Sequence, residues 1–521
     1  MTNRPHIVIF NPDQWRGDTL AHLGHPAVRT PHLDSLAATD AVSFRHAFSQ
    51  ATVCTPSRCS FMTGWYPHVR GHRTMHRMLN PDLGEANLLK VLREHGYFVW
   101  WGGKNDLVPG QLGFEAHCDV HFRATDDDYR RWRVTRGESS HSGDLAWRGE
   151  PGGDNFFSFF KGRLEAPDGG RWFDGDWAMV QGALDFLERY DGEQPLCLYL
   201  PLLYPHPPYC VEEPWYSLTS REAVPERHLY ESWDDKPALL AGIRDAQGLT
   251  GWTEDRWREL RATYYGMCAR VDHQFGLVIE ALRDTGRYDD TAVFVFSDHG
   301  DFTGDYGLVE KTQNTFQDAL CRVPFLVKPP AGVPCVAGVR DQLVELVDFP
   351  ATVYDFAGID CGYWHFGRSL ATLLGDPGAE HRDAVFCEGG RLRGEAQASE
   401  RESVGAADGP DAPSRKRTPA GTLYSPRLHL QLQERPRLPH TKAAMCRTDR
   451  LKYVRRAYES DELYDLLEDP GETRNVIDDP AYRDAALALK DRMLAWYMET
   501  CDVVPEQPDA RNFEGNRCSR S

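Results

Sequence analysis

The sequence predicts an α/β fold, a mixed, mostly parallel sheet flanked by helices, followed by a smaller α+β domain with an antiparallel sheet. Three observations predict it. Short apolar runs without alternation (Ile7–Phe10, Pro195–Leu202 and Ala292–Phe296) read as strands buried on both faces. Stretches with helical spacing separate them, the order that gives βαβ units. After about residue 375 the texture changes to short strands around a long polar stretch. The chain has 521 residues, more than one hydrophobic core serves. We therefore expect a first domain over 1–375, with an insertion at about 114–175. A second domain is expected over 376–521, with a long polar loop at about 389–439.

Composition narrows the function classes. Hydrophobic residues make up 41% and charged residues 26%, as in a globular protein. The net charge of −19 excludes a nucleic-acid binder working by bulk charge. Any site for an anion must then be locally basic. The 13 cysteines are an odd number, without Cys-x-x-Cys pairs, which suits free thiols in a reducing compartment. The apolar run after Met1 is too short for a signal segment, and no run reaches membrane-spanning length. The expectation is a soluble, cytoplasmic protein without a nucleic-acid or membrane partner.

Taken in order, the first strand, Ile7–Phe10, is followed by Asn11-Pro12-Asp13-Gln14. A carboxylate and an amide oxygen side by side suit a hard cation, although Asp at a strand end also serves local turns. Thr30 and Pro31 open a helix. Cys54-Thr55-Pro56-Ser57-Arg58 begins another, and Thr63-Gly64 ends it. Proline fits a first helical turn, so Cys54 sits where unpaired N–H groups favour an anion, with Arg58 one turn along. A buried structural cysteine is the alternative at that point. His68, His72 and His76 lie in an Arg/His-rich loop. Asn87–His95 is helical, and Tyr97–Trp101 is a strand ending in Gly103-Lys104-Asn105-Asp106.

The 114–175 insertion is polar and Gly-rich, and reads as a shaper of substrate access. Trp177–Tyr190 is a helix; Pro195–Leu202 is a strand, after which flanking prolines fix His206. Arg256–Arg283 is a long helix. Ala292–Ser297 is a strand with Asp298-His299-Gly300-Asp301 at its end, and Glu310 and Lys311 lie in the next loop. Val323–Lys328 is a strand and Val347-Asp348-Phe349-Pro350 opens a helix. In the second part, Arg382–Cys387, Met445–Thr448, Leu451–Arg455 and Glu462–Leu466 are strands, and Tyr482–Tyr497 closes the fold as a helix.

Asp13/Gln14, Lys104, His206 and Asp298/His299 all follow strands. In a parallel sheet their loops converge on one edge, where ligands of open α/β sheets gather. A metal on Asp13, Gln14, Asp298 and His299 would then face Arg58, Lys104, His206 and Lys311. One hard cation with several cationic side chains suits a sulfate or phosphate oxyanion.

These motifs resemble, in order and over nearly the whole chain, those of the type I, formylglycine-dependent sulfatases of the alkaline phosphatase superfamily. Cys54-x-Pro56-x-Arg58 with Thr63-Gly64 is the signature. Asn11–Gln14, Thr30–Asp34, Gly103-Lys104, His206, Ser297–Gly300, Lys311, Glu462–Leu466 and Asp469-Pro470 accompany it. The resemblance implies an alkaline-phosphatase-like fold, a maturing enzyme that oxidises Cys54 to formylglycine, and one Ca²⁺, Mn²⁺ or Mg²⁺. Cys54, as the aldehyde hydrate, would join the metal set; one hydroxyl would attack sulfur or phosphorus, and the other would expel the inorganic anion. Arg58 would hold the diol, Lys104 and Lys311 the substrate oxygens, and Lys311 or His206 would protonate the leaving oxygen.

Two departures from the family pattern stand out. The usual Lys-x-His is Lys104-Asn105-Asp106 here, so Asp106, His72, His76 or water would take the diol proton. Gln14 and His299, where many family members have Asp and Asn, resemble the metal set of phosphonate monoester and phosphodiester hydrolases of the same superfamily, and of some sulfatases. The expectation is therefore a sulfate-ester hydrolase acting on a small-molecule or saccharide ester. A phosphorus-ester hydrolase is the alternative, and a non-catalytic oxyanion- or sugar-binding relative is one of another class. The polar loop and tail leave room for a homo-oligomer.

Overall fold

A computed structural model describes residues 4–75, 77–137, 146–150, 152–166, 169–393, 395 and 440–504. In chain order the first ten strands are β1 (His6–Asp13), β2 (Val42–Phe48), β3 (Phe98–Gly102), β4 (Val120–Phe122), β5 (Phe160–Leu164), β6 (Leu196–Pro205), β7 (Tyr209–Glu212), β8 (Thr291–Phe296), β9 (Phe325–Lys328) and β10 (Gly338–Glu345). β5 and β7 make a separate two-stranded ribbon; the others form an eight-stranded sheet, order β10-β2-β9-β8-β1-β6-β3-β4. β1 lies inside it and pairs parallel with both β6 and β8. Only β9 runs against its neighbours, antiparallel to β2 and β8. The sheet is mixed and mostly parallel, as the apolar runs predict.

Alternation along β1 explains why the run is apolar throughout. Val8 and Phe10 point into one core, Ile7 and Ile9 into the other. The first core is covered by helices α1 (Pro31–Thr39), α4 (Gly175–Arg189) and α5 (Glu254–Asp284). The second is covered by α2 (Cys54–Thr63), α3 (Leu88–Glu94) and α6 (Asp348–Ala357). With helices on both faces, neither side of a central strand can be polar.

The smaller sheet is antiparallel, order β11 (Val385–Gly389), β12 (Ala443–Arg447), β13 (Leu451–Arg456), β14 (Glu462–Asp465), and is covered by helix α7 (Arg483–Thr500). It does not stand apart. Phe48 and Leu343 of the large sheet share an apolar cluster with Val385, Met445 and Val454. Tyr66 packs edge-on to Trp496 of α7.

Several details differ from the sequence reading. Thr30 does not cap α1 by its side chain; its hydroxyl accepts from Ala21 N–H and donates to Asp34. β2 is a sheet strand that the sequence does not advertise. The 114–175 stretch is not simply an insertion over the site, because β4 extends the large sheet beside β3 and β5 pairs with β7. Trp100 of β3 stacks on Phe122 of β4, which gives that edge its apolar reason to form. Most of the 389–439 polar loop lies outside the described residues. Every described cysteine is free, and no helix among the described residues is long and apolar enough to cross a membrane.

Candidate active site

β1, β3, β6 and β8 run parallel, so the residues that follow them meet at one edge. α2 starts at the same edge. Val53 is extended and Cys54 is the first helical residue; Gly64, in the left-handed conformation, ends the helix. All ten residues of α2 are buried. The helix is embedded between sheet and neighbouring helices rather than lying on the surface.

Arg58 organises the edge. Its guanidinium is fully buried and donates to Asp298 Oδ2 at 2.9 Å, Asn11 Oδ1 at 2.9 Å and Asp13 Oδ2 at 3.0 Å. Tyr199 OH lies 3.4 Å away. One planar cation thus ties α2 to the ends of β1 and β8, a geometry a point charge cannot supply. Lys104 reaches in from the end of β3. Its Nζ is 2.6 Å from Asp13 Oδ2, 2.9 Å from Asp106 Oδ2 and 3.4 Å from Cys54 Sγ. Gly103 makes this approach feasible: at φ +138 its Cβ would sit 2.1 Å from the Pro201 carbonyl oxygen.

Cys54 Sγ is 3.2 Å from His299 Nε2 and 3.6 Å from Asp13 Oδ1. His299 Nδ1–H donates to the Gly300 carbonyl at 2.9 Å, which turns the Nε2 lone pair toward the cluster. Asp13, Cys54, Asp298 and His299 each offer a ligand atom, all within 4.8 Å of one another and all buried. Two buried carboxylates and an oriented imidazole fit a hard divalent cation. Gln14 follows Asp13 in the chain; its left-handed φ of 67 is held by Tyr264 OH on its carbonyl and by its own N–H on Asp298 Oδ1.

On the far side, Lys311 Nζ donates to Gln14 Oε1 and pairs with Glu310 Oε1 at 3.0 Å. His206 donates from Nδ1 to the Pro207 carbonyl at 2.6 Å, and its Nε2 stands 4.0 Å from Glu310 Oε1. Lys104, with 20% of its side chain exposed, is more open than Lys311 at 1%.

The electrostatics follow from burial and pairing. Burial raises the Asp13 carboxyl, but Lys104, His206 and Arg58 outweigh it and hold it well below the usual range. Burial lowers the Lys104 ammonium, yet Asp106 and Asp13 hold it well above. Burial, then Asp13, pushes the Cys54 thiol up to about 12. Burial likewise lowers His299, leaving its imidazole neutral and able to ligate.

Of the residues singled out from sequence, Asp13, Gln14, Cys54, Arg58, Lys104, His206, Asp298, His299 and Lys311 come together. Asp106 reaches Cys54 only through the Lys104 ammonium. His72 is not brought in: its ring is held by Glu85 at 3.1 Å and the Arg77 carbonyl at 3.1 Å, away from the cluster. His76 lies outside the described residues. Asn11, Tyr199, Asp301, Tyr209 and Glu310 belong to the site's framework without having been picked as site residues. Asn11 and Asp301 stand in the same strand-end motifs and Glu310 precedes Lys311, which was the signal available for them.

The family model described as Sulfatase matches residues 5–359. The multifunctional alkaline phosphatase superfamily protein PehA of Trinickia caryophylli is 26% identical over 541 residues, covering 96% of each chain. An arylsulfatase of Clostridium perfringens is 27% identical over 406 residues, covering 74% of this chain and 81% of its own. Among solved structures, the phosphonate monoester hydrolase of Agrobacterium radiobacter superposes with a TM-score of 0.69 at 22% identity, covering 97% of this chain and all of that one.

Proposed function

Because the chain belongs to the sulfatase family, we propose that it hydrolyses sulfate esters through residue 54, matured to formylglycine, with one divalent cation. The observation that carries this reading is the Cys54 environment. A thiol pushed up to about 12 is a poor nucleophile near neutrality, yet it sits amid Lys104, Arg58 and a cation-type donor set. Such surroundings suit an oxygen nucleophile, and Sγ marks where a hydroxyl of the hydrated aldehyde would lie. A formylglycine-generating or other maturing enzyme is then a required partner.

Asp13, Gln14, Asp298 and His299, with residue 54, would hold Ca²⁺, Mg²⁺ or Mn²⁺. The cation would neutralise ester oxygens and favour the ionised nucleophile. Arg58 keeps both carboxylates fixed, so no reorganisation is needed as charge moves. Lys104 and Lys311 flank the cluster and bind the remaining oxygens of the ester. Lys311 or His206 delivers a proton to the departing alcohol. Asp106 keeps the Lys104 ammonium charged and aimed. The alcohol is a small molecule or a saccharide.

A phosphonate or phosphate diester substrate is the second reading, favoured by Gln14 and His299 in the donor set. Turnover of an aryl sulfate against an aryl phosphonate monoester separates the two. Peptide mass analysis of residue 54 accompanies it. Oxidised residue 54 with preferred sulfate turnover is the expected result. A large excess for the phosphorus ester would give the second reading. A retained thiol with no turnover of either would make the protein a binder instead.

A further inference from the structure

We propose that Asp301 is a positioning residue that fixes which end of the Gln14 amide faces the metal site. The inference rests on the metal reading above. The Gln14 side chain is clamped at both ends. Its Nε2 donates to Asp301 Oδ2, and its Oε1 accepts from Lys311 Nζ. An amide turned by half a rotation would set its oxygen against a carboxylate and its NH2 against an ammonium, losing both bonds. Asp301 itself has no freedom to yield. Its Oδ1 accepts from Tyr209 OH at 2.7 Å, from Thr303 N–H at 2.5 Å and from the Thr303 hydroxyl at 2.8 Å. Asp301 and Gln14 are both fully buried. Three donors on one oxygen leave only Oδ2 for Gln14, and only an amide N–H can satisfy it there.

This arrangement makes a prediction about sign. In Asp301→Asn the single carbonyl oxygen stays with its three donors, so the new NH2 faces Gln14. The Gln14 amide then meets donors at both ends, the new NH2 and the Lys311 ammonium, so its single oxygen is no longer held in one orientation at the metal site. In Gln14→Glu the side chain has no N–H to orient and repels Asp301; there, the same D301N change supplies a favourable donor. The Asp301 carboxylate therefore aids metal binding when position 14 is an amide and opposes it when position 14 is a second carboxylate.

The test titrates Mn²⁺ by calorimetry into full-length, metal-stripped protein carrying D301N, Q14E, or both. The expected result is Mn²⁺ binding about 10–100-fold weaker in Asp301→Asn, weaker in Gln14→Glu, and restored toward wild type in the double variant. An equal loss from D301N in both backgrounds would make Asp301 merely structural and overturn the proposal. Should D301N not fold, Q14E alone decides: tighter Mn²⁺ binding from the added carboxylate overturns it. A wild-type protein that binds no Mn²⁺ overturns the metal reading and this inference with it; wild-type binding without the sign reversal overturns the inference alone.

Discussion

At the scale of single residues, the site depends on groups whose surroundings forbid their ordinary chemistry. The Cys54 thiol is the plainest case. Only 1% exposed and pushed up to about 12, it should resist iodoacetamide at pH 8 in whatever fraction of folded, metal-free protein retains it. The same fraction should be alkylated once the chain is unfolded in urea, which intact-mass analysis reads directly; alkylation before unfolding would contradict the burial argument. The Cys54–Arg58 relation was legible in the sequence because four residues make one helical turn. The Gln14–Asp301 clamp was not, since its partners are 287 positions apart and meet only after the sheet forms. His72 misled for a related reason. Its Arg/His-rich context looked like a ligand site, but the buried Glu85 claims its ring.

At the scale of elements, strand ends do the positioning, and close backbone contacts set where they point. After β8 the chain turns at Gly300, whose Cβ would lie 2.0 Å from the Ala319 carbonyl oxygen. Gly300→Ala should therefore push Asp298 and His299 out of register. We expect a stability loss of about 1–3 kcal/mol, read by urea unfolding, together with weakened Mn²⁺ binding; full retention of both would show that the loop yields elsewhere. The apolar runs of β1, β6 and β8 made these strands readable, because being covered on both sides leaves no polar residue. β2 was unreadable for the opposite reason. Its sequence Val-Ser-Phe-Arg-His-Ala-Phe carries three polar residues, and Arg45 escapes toward Asp341 while Ser43 bonds His22. The reversed direction of β9 has no local signal at all: strand sense is decided by the connection, not by composition.

At the scale of the whole molecule, the two sheets are joined by a buried ion cluster as well as by shared apolar side chains. Asp348, at the start of α6, accepts from Arg382, from His381 Nε2 at 3.0 Å, and from the backbone N–H groups of Glu345 at 3.0 Å and Arg368 at 2.8 Å. Burial raises this carboxyl, but Arg382 and His381 outweigh it and hold it well below the usual range. A carboxyl depressed on folding stabilises at neutral pH, and that stabilisation is lost as pH falls below about 4, the ordinary carboxylate value. Asp348→Asn should cost about 3–5 kcal/mol at pH 7. The gap in Tm between wild type and variant should narrow from pH 7 to pH 3.5. A gap independent of pH would mean the loss is one of packing alone. Such a join was invisible beforehand, because sequence texture marks where a segment changes character and says nothing of how firmly the parts adhere.

The embedding of α2 has a consequence in time rather than in space. A helix with all ten residues buried presents no strand of backbone and no side chain for another protein to grip. Any catalyst that must take hold of the stretch from Val53 to Gly64 meets it only on the nascent or unfolded chain. If Cys54 is matured as proposed above, its oxidation and the closure of the fold would be competing events. The matured fraction would then be set by the ratio of two rates, and the protein could not raise it while folded.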